Sequence, residues 1–157
     1  IDNSVLHRVF QRRIGNPISL SIIYSTVCQK LGIPVFGVNL PQHFILAYTD
    51  ERKYPADSSL KGHDYLEPEK AGVTLFYINA FNKGTIFSKW NIDQFIKQLG
   101  LEPRESYFEP CSNVDICMRV IRNLIFSHQK AEDKAISKFY EELLRILDPH
   151  SSNPGTV

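Results

Sequence analysis

Apolar positions along the chain follow two rhythms. Between residues 18 and 31, Leu20, Ile23, Tyr24, Val27 and Leu31 recur at three- and four-residue spacing, and Ile18 and Ile22 widen the stripe. That period predicts a mostly buried helix. Asn16 offers a capping oxygen and Pro17 suits the first helical position, where no N–H is needed. Gly32 stops the helix and Pro34 blocks its resumption. A shorter amphipathic helix is expected over residues 4–13, with Val5, Val9 and Phe10 on one side. After Pro34 the rhythm changes to two. Strands are predicted over 35–40 and 43–49, separated by a turn at Pro41. In the second, His43, Ile45 and Ala47 share one face, and Phe44, Leu46 and Tyr48 the other.

The polar stretch 50–72, with Pro55, Gly62 and Pro68, reads as a long excursion with little regular structure. A third strand (VTLFYINAF, 73–81), the turn Asn82-Lys83-Gly84 and a short strand over 85–87 follow. The remainder is helical. One helix is expected over 91–99, starting at Asn91 with Gln94 and ending at Gly100. Another, capped by Ser112 or Asn113, runs to about His128, and a third spans 131–147 with Ala135, Phe139, Leu143 and Ile146 facing inward. A short polar turn between the last two makes an antiparallel hairpin. The expected organisation is a core over 1–105, the hairpin over 106–150 packed on it, and a frayed tail over 151–157.

Composition adds mainly exclusions. Hydrophobic residues make up 43% and charged residues 22%, which is globular and sufficient for a core. With 18 basic and 17 acidic side chains the formal charge is +1, so there is no broad attraction for nucleic acid or anionic lipid. No apolar run reaches the ~18 residues of a membrane span. Cys28, Cys111 and Cys117 lack framework or zinc-site spacing and are expected to be reduced, mostly buried thiols. His7, His63, His128 and His150 show no ligand spacing, so neither metal nor cofactor is expected. A cytoplasmic location is the expectation. Residue 1 is Ile and the single methionine is Met118, so the native start codon is expected to lie outside these residues.

The order helix, strand, strand opening on His, loop, strand ending in Asn resembles the core of transglutaminase-like and papain-like proteins. RRIGNPISLSIIY, LGIPVFGVNLPQHFILAY, YINAFNKGTIFS and MRVIRNL together resemble the bacterial sirB-type transglutaminase-like family. Its pattern runs roughly R-x-G-x-P-I-S-L-S, L-P-G-H-F, F-I-D-P-F and R-x-L-x-N-L. The resemblance implies an α+β fold: a transglutaminase-like, papain-like core of a central helix packed on a small antiparallel sheet, followed by the helical hairpin. It also implies where a site would lie. A helix N-terminus concentrates positive potential that activates a nucleophile, an imidazole takes its proton, and a carboxylate or amide orients the ring.

In the wider superfamily the nucleophile is a cysteine, and the resemblance places that position at about Pro17. Ser19 and Ser21 are the nearest hydroxyls, and Ser19 lies in the first helical turn. His43 matches the superfamily's histidine. Asn79 stands where the pattern has Asp, with Asp57 of YPADSS a rival orienter. An amide can orient an imidazole through its carbonyl oxygen but brings no negative charge. Asn16 is read as a helix cap that also borders the cleft, Arg122 and Asn123 as ties between hairpin and core, and Trp90 and Tyr54 as possible rim residues. Ser19, His43 and Asn79 are thus the candidate catalytic set. The favoured expectation is a catalytically degenerate transglutaminase-like protein acting in interaction or regulation, with a protein or peptide partner. The alternatives are a Ser-His-Asn acyltransferase or amide/ester hydrolase, and a peptide or small-molecule binding module reusing the cleft.

Overall fold

The computed structural model describes residues 1–50 and 72–148. Helix α1 (Leu6–Arg12) leads into α2 (Pro17–Lys30), and strands β1 (Val35–Leu40) and β2 (His43–Thr49) follow. Then come β3 (Thr74–Asn79), β4 (Thr85–Phe87), α3 (Lys89–Gln98), α4 (Asn113–Lys130) and α5 (Lys134–Leu147). The strands form one antiparallel sheet in the order β1-β2-β3-β4. The fold is therefore α+β, with the central helix on a small antiparallel sheet and a helical hairpin at the C-terminal end.

Alternation along the strands divides the core in two. Val38, Leu40, Ile45, Ala47 and Tyr77 pack against Ile92 and Ile96 of α3 and against Phe108. Val35, Leu46 and Ile78, on the other face, pack against Cys28 of α2. Gly37 lies on this second face too: a Cβ there would stand 2.7 Å from the Phe44 ring and 3.0 Å from Ile116 of α4. The absent side chain lets α4 approach the sheet. Buried Tyr77 donates its hydroxyl to the Phe108 carbonyl at 2.8 Å, and the Cys111 N–H donates to the Gly37 carbonyl at 2.8 Å. These bonds fasten the segment before α4 to the sheet.

Several expected faces and boundaries differ. In α2 the side toward the sheet is the small one: Ile18, Ser21 and Ser25 are buried and Cys28 packs inward, whereas Tyr24, Val27 and Leu31 are exposed, Leu31 by 71%. The helix is apolar around most of its circumference, so its strongest stripe did not mark the inner face. Small residues instead allow close approach to the strands. In α5 the inner positions are Ser137, Tyr140, Leu143 and Leu144, and Phe139, Ile146 and Ala135 point outward. In α1 Val9 is buried but Phe10 is exposed. Helix α3 starts earlier than expected because Ser88 is its cap and Asn91 the reciprocating residue. The third strand ends at Asn79, where a 3-10 turn over Ala80–Asn82 begins.

Candidate functional site

The N-terminus of α2 is a closed hydrogen-bond box. Asn16 Oδ1 accepts from the Ser19 N–H at 2.9 Å, and Ser19 Oγ accepts from the Asn16 N–H at 3.0 Å. The Ser19 hydroxyl in turn donates to the Asn16 carbonyl at 3.1 Å. Asn16 is pinned from outside, its Nδ2 donating to Ser4 Oγ at 2.8 Å. This is a reciprocal cap in which serine plays the part usually taken by Glu or Gln. Ser19 is 1% exposed, and a Cβ on Gly15 would stand 2.7 Å from its Oγ and 2.9 Å from Leu20 Cδ2. Gly15 is the lid over the hydroxyl, and no larger residue fits without displacement. Ser21 is also fully buried, and its hydroxyl has no partner among the described residues.

The structure brings His43 and Asn79 together and leaves Ser19 apart. His43 opens β2 after a tight hairpin, Leu40-Pro41-Gln42-His43, in which Gln42 takes the left-handed conformation (φ 57°). Proline followed by a positive-φ residue is the pattern of a type II turn, where glycine is usual at the second position. By strand parity His43 lies on the α3 face with Ile45, and Asn79 lies there with Tyr77. The two side chains meet at 3.3 Å, Asn79 Nδ2 to His43 Nε2. Helix α2 packs on the opposite face, and the Ser19 hydrogen bonds go to Asn16.

The polarity of the His43–Asn79 contact is fixed by what else Asn79 holds. Its Oδ1 accepts from the Phe81 N–H at 3.0 Å and the Asn82 N–H at 3.1 Å, capping the 3-10 turn. Turning the amide over would set its NH2 against both of those donors. The NH2 group therefore faces the ring, Nε2 must accept, and the neutral ring carries its proton on Nδ1. An orienting residue in a nucleophile–histidine pair does the opposite: it accepts the ring N–H and leaves the other nitrogen free as base. Asn79 does not orient His43 through its carbonyl oxygen, as the sequence had suggested. It makes His43 a hydrogen-bond donor.

Electrostatics point the same way. Burial, and secondarily the charge of Arg119 in α4, hold the His43 pKa below its ordinary value of 6.5. Protonating Nε2 would also set it against the Asn79 amide. Arg119 is itself partly buried, its pKa lowered by desolvation and by neighbouring Arg122, and no carboxylate pairs with it among the described residues. Sequence reasoning passed over Arg119, although MRVIRNL contains it; only the packing of α4 brings its charge to bear on β2. Beside His43 a cavity of about 250 Å³ is lined chiefly by Leu40, Ile45, Phe87, Ile92 and Phe95. The Phe95 ring lies 6.0 Å from the imidazole, tilted by 53°.

The other candidates are dispersed. Trp90 is exposed and lines no part of this cavity. Arg122 pairs loosely with Asp148 at 4.0 Å, a contact within the hairpin rather than a tie to the core, and the Asn123 carbonyl accepts from Ser127 Oγ at 2.8 Å. Burial raises the Cys28 pKa and pushes that of Cys111 up to about 12, so neither is poised as a thiolate. Cys117 is exposed, contrary to expectation. Among the described residues no three His, Cys, Asp or Glu could hold a metal, and no helix is long and apolar enough to cross a membrane. Tyr54, Asp57, His63 and His150 lie outside the described residues.

Comparison with known proteins fits this architecture. A UPF0162 protein of Xylella fastidiosa (strain 9a5c) is 54% identical over 153 residues, covering 92% of this chain and 47% of that protein. Mouse F-box only protein 21 is 38% identical over 82 residues, 52% of this chain and 11% of that protein. The chain thus spans less than half the length of these relatives. No solved structure matches. The model of the transglutaminase-like superfamily matches residues 1–122, and the chain belongs to that superfamily.

Proposed function

We propose that this protein keeps the transglutaminase-like fold as a non-catalytic binding module, of the sirB type within the superfamily, acting in protein interaction or regulation. The observation that carries the reading is the donor face of Asn79 on His43 Nε2. A general base must present a lone pair toward the nucleophile, whereas this ring spends its lone pair on Asn79. The Ser19 hydroxyl, committed in both directions to Asn16 and sealed under Gly15, supports the reading independently. The free thiols suit a reducing, cytoplasmic setting.

The test is covalent labelling of the purified protein with a broad fluorophosphonate or activated acyl ester, followed by intact mass. Wild type is expected to take up no adduct. A single adduct lost in both Ser19→Ala and His43→Ala would overturn the reading in favour of a serine acyl-enzyme. Among binding functions, the apolar cavity beside His43 favours a small ligand group over an extended flat contact.

A further inference from the structure

The cavity between β2 and α3 is walled by aliphatic and aromatic side chains, with half-buried His43 and exposed Asn91 as its polar members. At about 250 Å³ it falls below the ~300–1,000 Å³ of drug-sized pockets, so it holds one fragment-sized group. The two polar residues come from different elements, yet each has spent its acceptor elsewhere. In His43 the Nε2 lone pair takes the Asn79 NH2. That leaves Nδ1–H, which has no partner among the described residues and is not sealed by them. Asn91 Oδ1 accepts from the Ser88 N–H and from the Ser88 hydroxyl, both at 2.8 Å, which turns its NH2 away from the cap. That NH2 has no partner among the described residues.

Helix α4 shows that such a cap needs only the oxygen. There Ser112 makes the same reciprocal box with Asp115, whose Oδ2 accepts from the Ser112 N–H at 3.0 Å and from its hydroxyl at 2.6 Å. A carboxylate also suits the N-terminal end of a helix dipole better than an amide does. What asparagine adds in α3 is a pair of N–H donors beside the cavity. The wall therefore offers side-chain donors without a free side-chain acceptor, and with His43 neutral none of its lining residues is charged. A carboxylate would lose its water there without gaining a counter-charge, and an ammonium would find no acceptor. A carbonyl oxygen brings two lone pairs and needs no donor in return.

We propose that this cavity binds a small uncharged carbonyl compound: a branched aliphatic or aromatic tail lies among Leu40, Ile45, Phe87, Ile92 and Phe95, and the carbonyl oxygen accepts from His43 Nδ1–H and the Asn91 NH2. The proposal rests on the reading of His43 as a donor in a non-catalytic module. The shared ligand chemistry has two sources, a free ketone or the same carbonyl carried as an acyl group on a longer chain.

The test is an NMR titration of the full chain, following the methyl groups of Ile45 and Ile92 together with the His43 ring nitrogens. The ketone probes are 4-methylpentan-2-one and acetophenone, and N-(3-methylbutanoyl)glycinamide carries the carbonyl on a chain. The charged matches of the branched tail are 4-methylpentanoate and 4-methylpentan-2-amine. The ketones should give saturable shifts in the roughly millimolar range expected of fragments. Both charged probes should bind at least about ten-fold more weakly, since neither finds a counter-charge in the wall. Asn91→Asp keeps the oxygen that the cap needs and replaces the NH2 by a second oxygen. It should weaken the ketones roughly three- to ten-fold, the loss of one hydrogen bond, and strengthen the ammonium. Tighter binding by the free ketones assigns the site to small metabolites, and tighter binding by the glycinamide assigns it to acylated chains. Three results overturn the proposal and leave the non-catalytic reading standing: a charged probe binding as well as the ketones, ketone binding unchanged in folded Asn91→Asp, or no saturable shift while Nε2 stays unprotonated. Protonation found on Nε2 removes the donor and overturns both.

Discussion

The two ends of the expected triad have been closed in different ways. At the N-terminus of α2, Ser19 is consumed by local structure: its hydroxyl completes the cap of its own helix and lies 1% exposed beneath Gly15. On the other face of the sheet, His43 is only partly buried and borders a cavity. It is altered not by burial alone but by the polarity of one neighbour, Asn79. At the helix end the hydroxyl serves the cap of its own helix. In the polar pair Asn79 gives its NH2 to the ring, which sets His43 as a hydrogen-bond donor.

The largest effect should come from Gly15→Ala. Its methyl group would press on both Ser19 Oγ and Leu20, and overpacking of this kind costs ~1–3 kcal/mol, measurable by urea unfolding. Ser19→Ala should cost ~1–2 kcal/mol by undoing the reciprocal cap and leaving the Asn16 N–H only its longer bond to the Asn3 carbonyl at 3.3 Å. The double variant should lose less than the sum, because removing Oγ makes room for the new methyl; strict additivity would mean that Gly15 does not seal the hydroxyl. On the other face, Asn79→Asp keeps an oxygen for the Phe81 and Asn82 N–H groups and turns a second oxygen toward the ring. The proton should move to Nε2 and the His43 pKa should rise, both visible in an NMR pH titration.

The pH dependence of stability sharpens the same contrast. The folded His43 pKa lies below the unfolded value of 6.5, so the unfolded chain binds the proton first as pH falls. The His43 contribution is therefore complete above about pH 6.5, declines below it, and stops changing once pH is below the folded pKa. Subtracting a His43→Gln profile isolates this term from the other histidines, and Asn79→Asp should shrink or reverse it. The smallest effect is a gain. Gln42 holds a positive φ of 57°, and Gln42→Gly should stabilise the hairpin before His43 by ~0.5–1 kcal/mol, the left-handed penalty less the added freedom of glycine in the unfolded chain. A loss there would mean that the Gln42 side chain is needed in the turn.

Much of this was legible in the sequence, and the misses share a cause. Cap and stop residues placed α2 closely, and period-two alternation placed His43 on the face it occupies. Strand parity also predicts that Asn79 shares a face with Tyr77. Periodicity failed in α2, where apolar residues surround the helix and the inner face was chosen by small side chains and close approach; in α5 the inward stripe runs through Tyr140, Leu143 and Leu144, so of the expected positions Leu143 faces in and Ala135, Phe139 and Ile146 do not. The candidate site was legible as residues but not as chemistry. Whether an amide shows its oxygen or its NH2 to an imidazole depends on two backbone N–H groups of a 3-10 turn, and nothing in the letters of YINAFN fixes that. Arg119 was hidden because it reaches the site through the packing of a helix 76 positions farther along the chain.

The most direct test of the account is the protonation of the two His43 ring nitrogens in the wild-type protein near neutral pH, read from long-range 1H–15N correlations. A proton on Nδ1 and none on Nε2 is expected. A ring protonated on Nε2, with Nδ1 free to accept, would contradict it and return His43 to the role of a base.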